Sequence, residues 1–488
     1  MKPKTLLLVF FVLPFLAHAG NIQVSNVLLT GQDAAADTYQ VQFDLSWESS
    51  WRTSTFESNW DAAWVVIKYR LENETVWTHA NISPTGSAFP SGSAADFAGD
   101  DGCFIYRDAD GIGDVNYQNI SIRWVYGNAF ADDQILEVCV LALEMVYIPE
   151  GAFQVGDGDT NGWGNFSVSG QTSPYTIQSE DGLTLGGFAS SNLGVINQNV
   201  LTPDDFSIST TQALPDDFPK GFQAFYIMKY ELTQQQYADF LNKIPENFAA
   251  DRFPDLIPDN GNQLTDAGTP PFVYATTAPD VPQGRLSYAD GAAYADWIAL
   301  RPMTELEYEK ACRGSRPAIA SEKAWGNTFL SNQNYTMLNV EQADESIQDL
   351  PQFTGNACYF DTSLPNGQRP FRSGIFAFSS VNGTRQETGA SYYGVMELSG
   401  NLEELVISVG SSEGRLFRGS HGNGVLSSTG NHTNFLWPDA VTAIGTGQRG
   451  GGFGSSSPGL AVSLRTWANS VVDFRGADAG VRLVRTAP

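Results

Sequence analysis

An all-β sandwich followed by an α+β domain with long loops is the fold class that the sequence predicts, and three observations carry it. Apolar and polar residues alternate in several short runs between residues 20 and 143, the period of half-buried strands. Amphipathic helices, each announced by a capping residue, are confined to the second part of the chain. Long stretches rich in Gly, Ser, Asn and Pro separate them, which favours loops over further regular elements.

The chain starts MKPKTLLLVFFVLPFLAHAG, with two lysines before an apolar run that ends in Ala17-His18-Ala19, the small-x-small pattern of a signal-peptidase site. Residues 1–19 are therefore expected to be a signal peptide, and the mature chain to be exported to a periplasmic, cell-surface or extracellular location. No cysteine follows the cleavage point, so no lipid anchor is expected. No later segment approaches the roughly 18 consecutive apolar residues of a membrane span. The formal charge is −27, or −29 once Lys2 and Lys4 leave with the signal. Such a surface repels nucleic-acid phosphates and anionic lipid heads, and is compatible with calcium or simply with solubility.

Residues 20–143 read as the sandwich. TYQVQFDLSW puts Tyr39, Val41, Phe43, Leu45 and Trp47 on one face, and NISIRWVY does the same with Ile120, Ile122, Trp124 and Tyr126. AAWVVIKYRL and ILEVCVLAL supply further β-branched runs. Between two of these strands, RDADGIGD sets Asp108, Asp110 and Asp114 around glycines. That spacing can gather carboxylates about Ca²⁺, or mark a plain Asp-Gly hairpin turn. Cys103 and Cys139 fall in this part, Cys312 and Cys358 in the next, so an oxidising compartment would allow one disulfide in each.

Residues 144–488 begin at MVYIPEGAFQVGDGD, a strand broken by a Pro-Glu-Gly turn. Residues 157–221 show little periodicity and read as a loop-rich surface insertion. Order returns in FYIMKYELTQQQYADFLNKI, where Thr233 and Gln236 form a capping box and Tyr237, Phe240, Leu241 and Ile244 form one stripe. A second helix follows Ser287 in SYADGAAYADWIAL. A third opens with Thr304 and Glu307 in TELEYEKACRG and closes at Gly314.

MVYIPEGAFQVG, FYIMKYELTQQQYADFLN, SYADGAAYADW with RPMTELEYEKACRG, AWGN, YYGVMELSGNLEEL, and RGGGF…LR…GVRLVR resemble, in this order, the formylglycine-generating enzyme (sulfatase-modifying factor) family. The resemblance covers residues 144–488 and implies an α+β fold of low regularity similar to C-type lectins. It implies in the aerobic enzymes a copper-binding cysteine after the arginine of LRTWAN and another five residues earlier. This chain carries Thr466 and Ala461 there, neither of which holds Cu(I) as a thiolate, so copper is not expected. The same resemblance aligns SGNLEEL with a calcium-binding block. It implies a structural calcium ion on the Asn401 side chain, the Leu402 carbonyl and the Glu404 carboxylate, with an Asx-turn-capped loop as the plain alternative.

No GxSxG, HExxH or P-loop is present, and the histidines after the signal, His79, His421 and His432, are scattered. Related lectin-like proteins, such as the variable proteins of diversity-generating retroelements, end in a similar segment that displays side chains for recognition. Here the corresponding residues are Arg465, Trp467, Asn469, Asp473 and Arg475, which combine a stacking ring with hydrogen-bonding groups. The structural alternative makes Arg465 and Trp467 core residues. The functional expectation is an exported ligand-binding or envelope-assembly protein without the copper-cysteine chemistry. The alternative is a metal-dependent oxidoreductase or protein-modifying enzyme of the family with a nonstandard site.

Overall fold

A computed structural model describes residues 22–160, 163–196, 203–254, 261–270, 272–360 and 369–488. The expected signal peptide lies outside these residues. The molecule is mostly β with few helices. The strand Thr38–Arg52 runs antiparallel to Gly111–Val125, and Gln23–Asp33 and Ile82–Ala88 flank them in a four-stranded sheet. Tyr39, Val41, Phe43, Leu45 and Trp47 are all buried, as are Ile120, Ile122, Trp124 and Tyr126. They meet Ala63, Val65, Ile67, Cys103 and Ile105 of a second sheet across one apolar core. The alternation in the sequence is thus the signature of a sheet with one covered face.

AAWVVIKY does not alternate, because the strand Asp61–Leu71 is covered on both faces. Ala63, Val65 and Ile67 point into the core just described, while Ala62, Trp64 and Val66 point into a larger core shared with the helices. One edge of this strand pairs with Gly102–Arg107 and the other with Leu136–Ile148. The far edge of Leu136–Ile148 in turn pairs with Phe225–Met228, with Phe225 opposite Ile148 and Met228 opposite Met145. From there an 11-stranded sheet continues through Leu483–Thr486, Arg301–Thr304 and Glu403–Ile407 to Thr446–Arg449. The boundary drawn at 143/144 therefore falls inside a strand. ILEVCVLALEMVYI carries no turn signal, and its two edges serve the two parts of the chain.

Four helices position the candidate site. They are α1 (Gln234–Leu241), α2 (Glu246–Arg252), α3 (Tyr288–Trp297) and α4 (Glu305–Arg313). α1 and α4 start with the pairs that the sequence announces, Thr233 with Gln236 and Thr304 with Glu307, and α3 starts after the announced Ser287, where Asp290 completes a capping box that the sequence reading did not name. Residues 157–221 are less loop-like than their composition suggests. Three-residue strands Phe166–Val168, Leu193–Val195, Leu183–Leu185 and Gln212–Leu214 form a small sheet. Phe166, Leu185, Leu193, Phe206, Leu214 and Phe218 enter the main core, so the stretch is not confined to the surface.

The expected disulfides are not made: all four cysteines are buried free thiols. Cys103 and Cys139 lie on opposite edges of Asp61–Leu71, facing Val65 and Lys68 respectively. Two strand spacings of about 4.8 Å separate them, beyond the roughly 7 Å that a bridge can span. Cys312 and Cys358 sit in different apolar clusters. Among the described residues no helix is long and apolar enough to cross a membrane.

Candidate functional site

The segment 461–475 begins in a buried network of charges. Arg465 donates from Nε to Glu305 Oε2 at 2.7 Å and from Nη2 to Glu305 Oε1 at 2.9 Å, and reaches both oxygens of Asp204 at 2.8 and 3.0 Å. Its guanidinium lies over the Phe166 ring at 4.1 Å. Arg449 bonds Glu305 at 2.8 Å and Glu309 at 2.5 Å. Arg313 pairs with Glu309 and Glu322 and donates to Ser463 Oγ at 2.8 Å. Glu305, Glu309 and Arg313 follow one another at i, i+4 on α4, so one helix face supplies the frame. Burial alone would raise the Glu305 carboxyl, but Arg465 and Arg449 hold it below the usual range. Ala461 and Thr466, where the resemblance implies thiolates, are buried beside this network.

After Arg465 the segment rises to the surface. Arg465 is 3% exposed, whereas Trp467 is 42% exposed and Phe474 61%. Asn469 is tied to the carbonyls of Pro203 and Gly410 at 3.2 and 3.4 Å. Asp473 and Arg475 line an open cleft of about 360 Å³, with Phe248, Asp251 and Arg252 of α2, Ser287, Ala289 and Asp290 at the start of α3, and Thr429 and Asn431. The five residues singled out in sequence are therefore divided: one in the core, one exposed, one holding a loop and two in the cleft. Those that sequence reasoning missed, chiefly Asp251, Arg252 and Asn431, lie about 40 to 220 residues from Arg475 along the chain. Asp290 alone carries a local signal, as the partner in the Ser287 capping box.

The other candidates are held within the protein. Asn401 Oδ1 accepts the Phe371 N–H at 2.8 Å, and its Nδ2 donates to Glu231 at 2.7 Å. Glu404 Oε1 accepts from Arg482 Nε at 2.7 Å, which leaves Oε2 as its unpartnered atom. The guanidinium thus supplies the positive charge beside Glu404. In the hairpin turn, Asp110 accepts the Ser54 N–H at 3.1 Å and its hydroxyl at 2.6 Å, and Asp114 accepts the Ser49 N–H at 3.0 Å. These bonds tie the hairpin to Ser49 and Ser54, and among the described residues no bond joins Asp108 to them.

Among the described residues no group of three His, Cys, Asp or Glu side chains converges to hold a metal ion. His79 contacts the Asp101 carbonyl, His421 accepts the Thr486 N–H, and His432 contacts the Pro438 carbonyl, so each histidine is held at its own place. Burial pushes the Cys103, Cys139, Cys312 and Cys358 thiols up, which keeps them protonated.

The family model described as Sulfatase-modifying factor enzyme 1-like domain matches residues 138–487. No curated protein matches the chain.

Proposed function

We propose that this chain, which belongs to the Sulfatase-modifying factor enzyme 1-like family, is an exported recognition protein of that family. On this reading it binds a ligand or assembles with envelope partners through the surface around Trp467 and the Asp473–Arg475 cleft. The observation that carries the proposal is the exposed Trp467 two residues from Arg465, a residue locked between Asp204 and Glu305. A rigid anchor beneath an exposed ring is what a recognition surface needs. The donor set supports the same reading. Cu(I) held by a thiolate pair does not fit Ala461 and Thr466, and the four protonated thiols lie in separate places. We read the two N-terminal sheets as a sandwich whose second layer continues into the family domain, and the latter as lectin-like.

The proposal is tested on the mature chain with copper, oxygen and a sulfatase-type cysteine peptide. Peptide aldehyde above a no-protein control would overturn it, and so would stoichiometric copper or iron in the purified protein. Trp467→Ala should weaken partner capture while leaving the melting temperature nearly unchanged. A buried tryptophan would instead cost about 3–5 kcal/mol of stability. Calcium is part of the proposal as a structural ion on the Asn401 side chain, the Leu402 carbonyl and the Glu404 carboxylate, where Oε2 is the atom without a partner. A melting temperature that does not change between chelator and added calcium removes it.

A further inference from the structure

We infer that the cleft between α2 and the start of α3 takes an organic cation, the ammonium or guanidinium head of a lysine-like or arginine-like side chain, between Asp251 and Asp473. This deepens the recognition reading above and rests on it. The argument starts from which charges in the cleft are already engaged. Arg252 donates from Nε and Nη2 to the Gly430 carbonyl at 3.1 and 2.6 Å, and from Nη1 to the Ala289 carbonyl at 2.8 Å. It also reaches Asn431 Oδ1 at 2.7 Å and Asp290 at 3.4 Å. Arg475 donates to both oxygens of Asp290 at 2.9 and 3.0 Å and to the carbonyls of Phe253 and Asp251 at 3.0 and 2.8 Å. Both guanidiniums are therefore bound to Asp290 and to backbone, and neither is left to receive an anion.

Asp251 and Asp473 stand differently. Both are exposed side chains on the cleft wall, and no hydrogen bond or ion pair reaches either carboxylate from the described residues. With Asp290 balanced by two arginines, the vacant charge of the cleft is negative. The overall charge of −27 adds an attractive field for cations. A metal ion is the less suitable occupant. Three aspartates line the cleft, yet they do not converge into a group able to hold one.

The shape favours a head carried on an apolar stem. A volume of about 360 Å³ lies near the lower end of the roughly 300–1,000 Å³ of small-molecule sites. Phe248 forms part of the wall and packs on Gly430, whose φ of +76° and lack of a side chain allow the approach. A Cβ there would meet Phe248 Cγ at 2.7 Å. A methylene stem can lie along this ring while its charged head reaches the carboxylates.

The test titrates the full mature chain by calorimetry at low ionic strength with Nα-acetyl-lysine amide and Nα-acetyl-arginine amide. Nα-acetyl-norleucine amide, Nα-acetyl-glutamate amide and calcium chloride serve as comparisons. The cationic probes should bind one per chain, and the neutral and anionic ones should not. Asp473→Asn and Asp251→Asn should each weaken the cationic probes roughly tenfold without moving the melting temperature. Equal binding of norleucine amide, unchanged affinity in both variants, calcium displacing the cationic probes in a one-for-one manner, or no binding of either cationic probe would overturn the inference. A Trp467-dependent signal on a glycan or peptide array, found together with silent cationic probes, would sink the cation inference and leave the recognition reading standing. Loss of both signals would sink both.

Discussion

His421 accepts the Thr486 N–H through Nε2 at 3.0 Å, so its neutral form is fixed by a bond that a proton on that nitrogen would break. Burial, with Arg485 and Arg301 nearby, pushes its pKa down to about 2. The unfolded chain takes that proton near pH 6.5 and the native chain does not, so stability is full above about 6.5 and falls as pH drops below it. By pH 5 the loss from this side chain is about 2 kcal/mol. His421→Gln keeps an acceptor and removes the titration, so urea unfolding at pH 7.5 and pH 5 should show a smaller drop for the variant by about that amount. Equal drops would refute the assignment. The pair Arg465 and Trp467 shows what residue-scale reading could not decide. Their local sequence is the same, yet Arg465 is buried because Asp204 and Glu305 lie 261 and 160 positions away. Nothing in LRTWAN announces those partners.

Elements were more legible, where the signal is local. Each of the three capping boxes spans four residues, and α1, α3 and α4 begin where Thr233, Ser287 and Thr304 place them. The small sheet within 157–221 was illegible because its strands are three residues long and pair at a distance, as Phe166 does with Val195 and Leu183 with Leu214. α4 adds a different lesson. A charged series at i, i+4 ordinarily marks a solvated face, but here Glu305, Glu309 and Arg313 are buried and matched by Arg449, Arg465 and Glu322. Glu305→Gln should leave two buried guanidiniums short of charge and cost about 3–5 kcal/mol in chemical denaturation. Exposed Glu246→Gln on α2 should stay within about 0.5 kcal/mol. A Glu305→Gln cost below that of the surface control would show that the network does not hold the segment.

At the scale of the molecule, the two parts of the chain share a sheet and a core, and this decides how it unfolds. Trp64 donates to the Ile298 carbonyl at 2.9 Å, Lys68 to those of Trp297 and Gly424 at 2.6 and 3.0 Å, and Asn59 to that of Tyr393 at 2.7 Å. Arg485, near the other end of the chain, pairs with Asp101 at 2.9 Å. Trp64, Val66, Phe104, Tyr106 and Leu143 belong to the core that also holds the helices. Burying each large side chain contributes about 1.5–3 kcal/mol, so losing five approaches the ~5–15 kcal/mol of a typical domain. A chain starting at residue 144 would keep Met145–Ile148 paired with Phe225–Met228 but would bare the opposite edge, where Glu144, Met145 and Val146 now pair with Ala63, Ala62 and Asp61, inviting edge-to-edge association. Full-length protein should therefore melt in one cooperative transition, and residues 144–488 alone should be aggregated or lack a cooperative melt. Differential scanning calorimetry with size-exclusion chromatography measures both. A monomeric 144–488 fragment melting at the wild-type temperature would mean that the shared strand joins two independent units, and that the 143/144 boundary is physical after all.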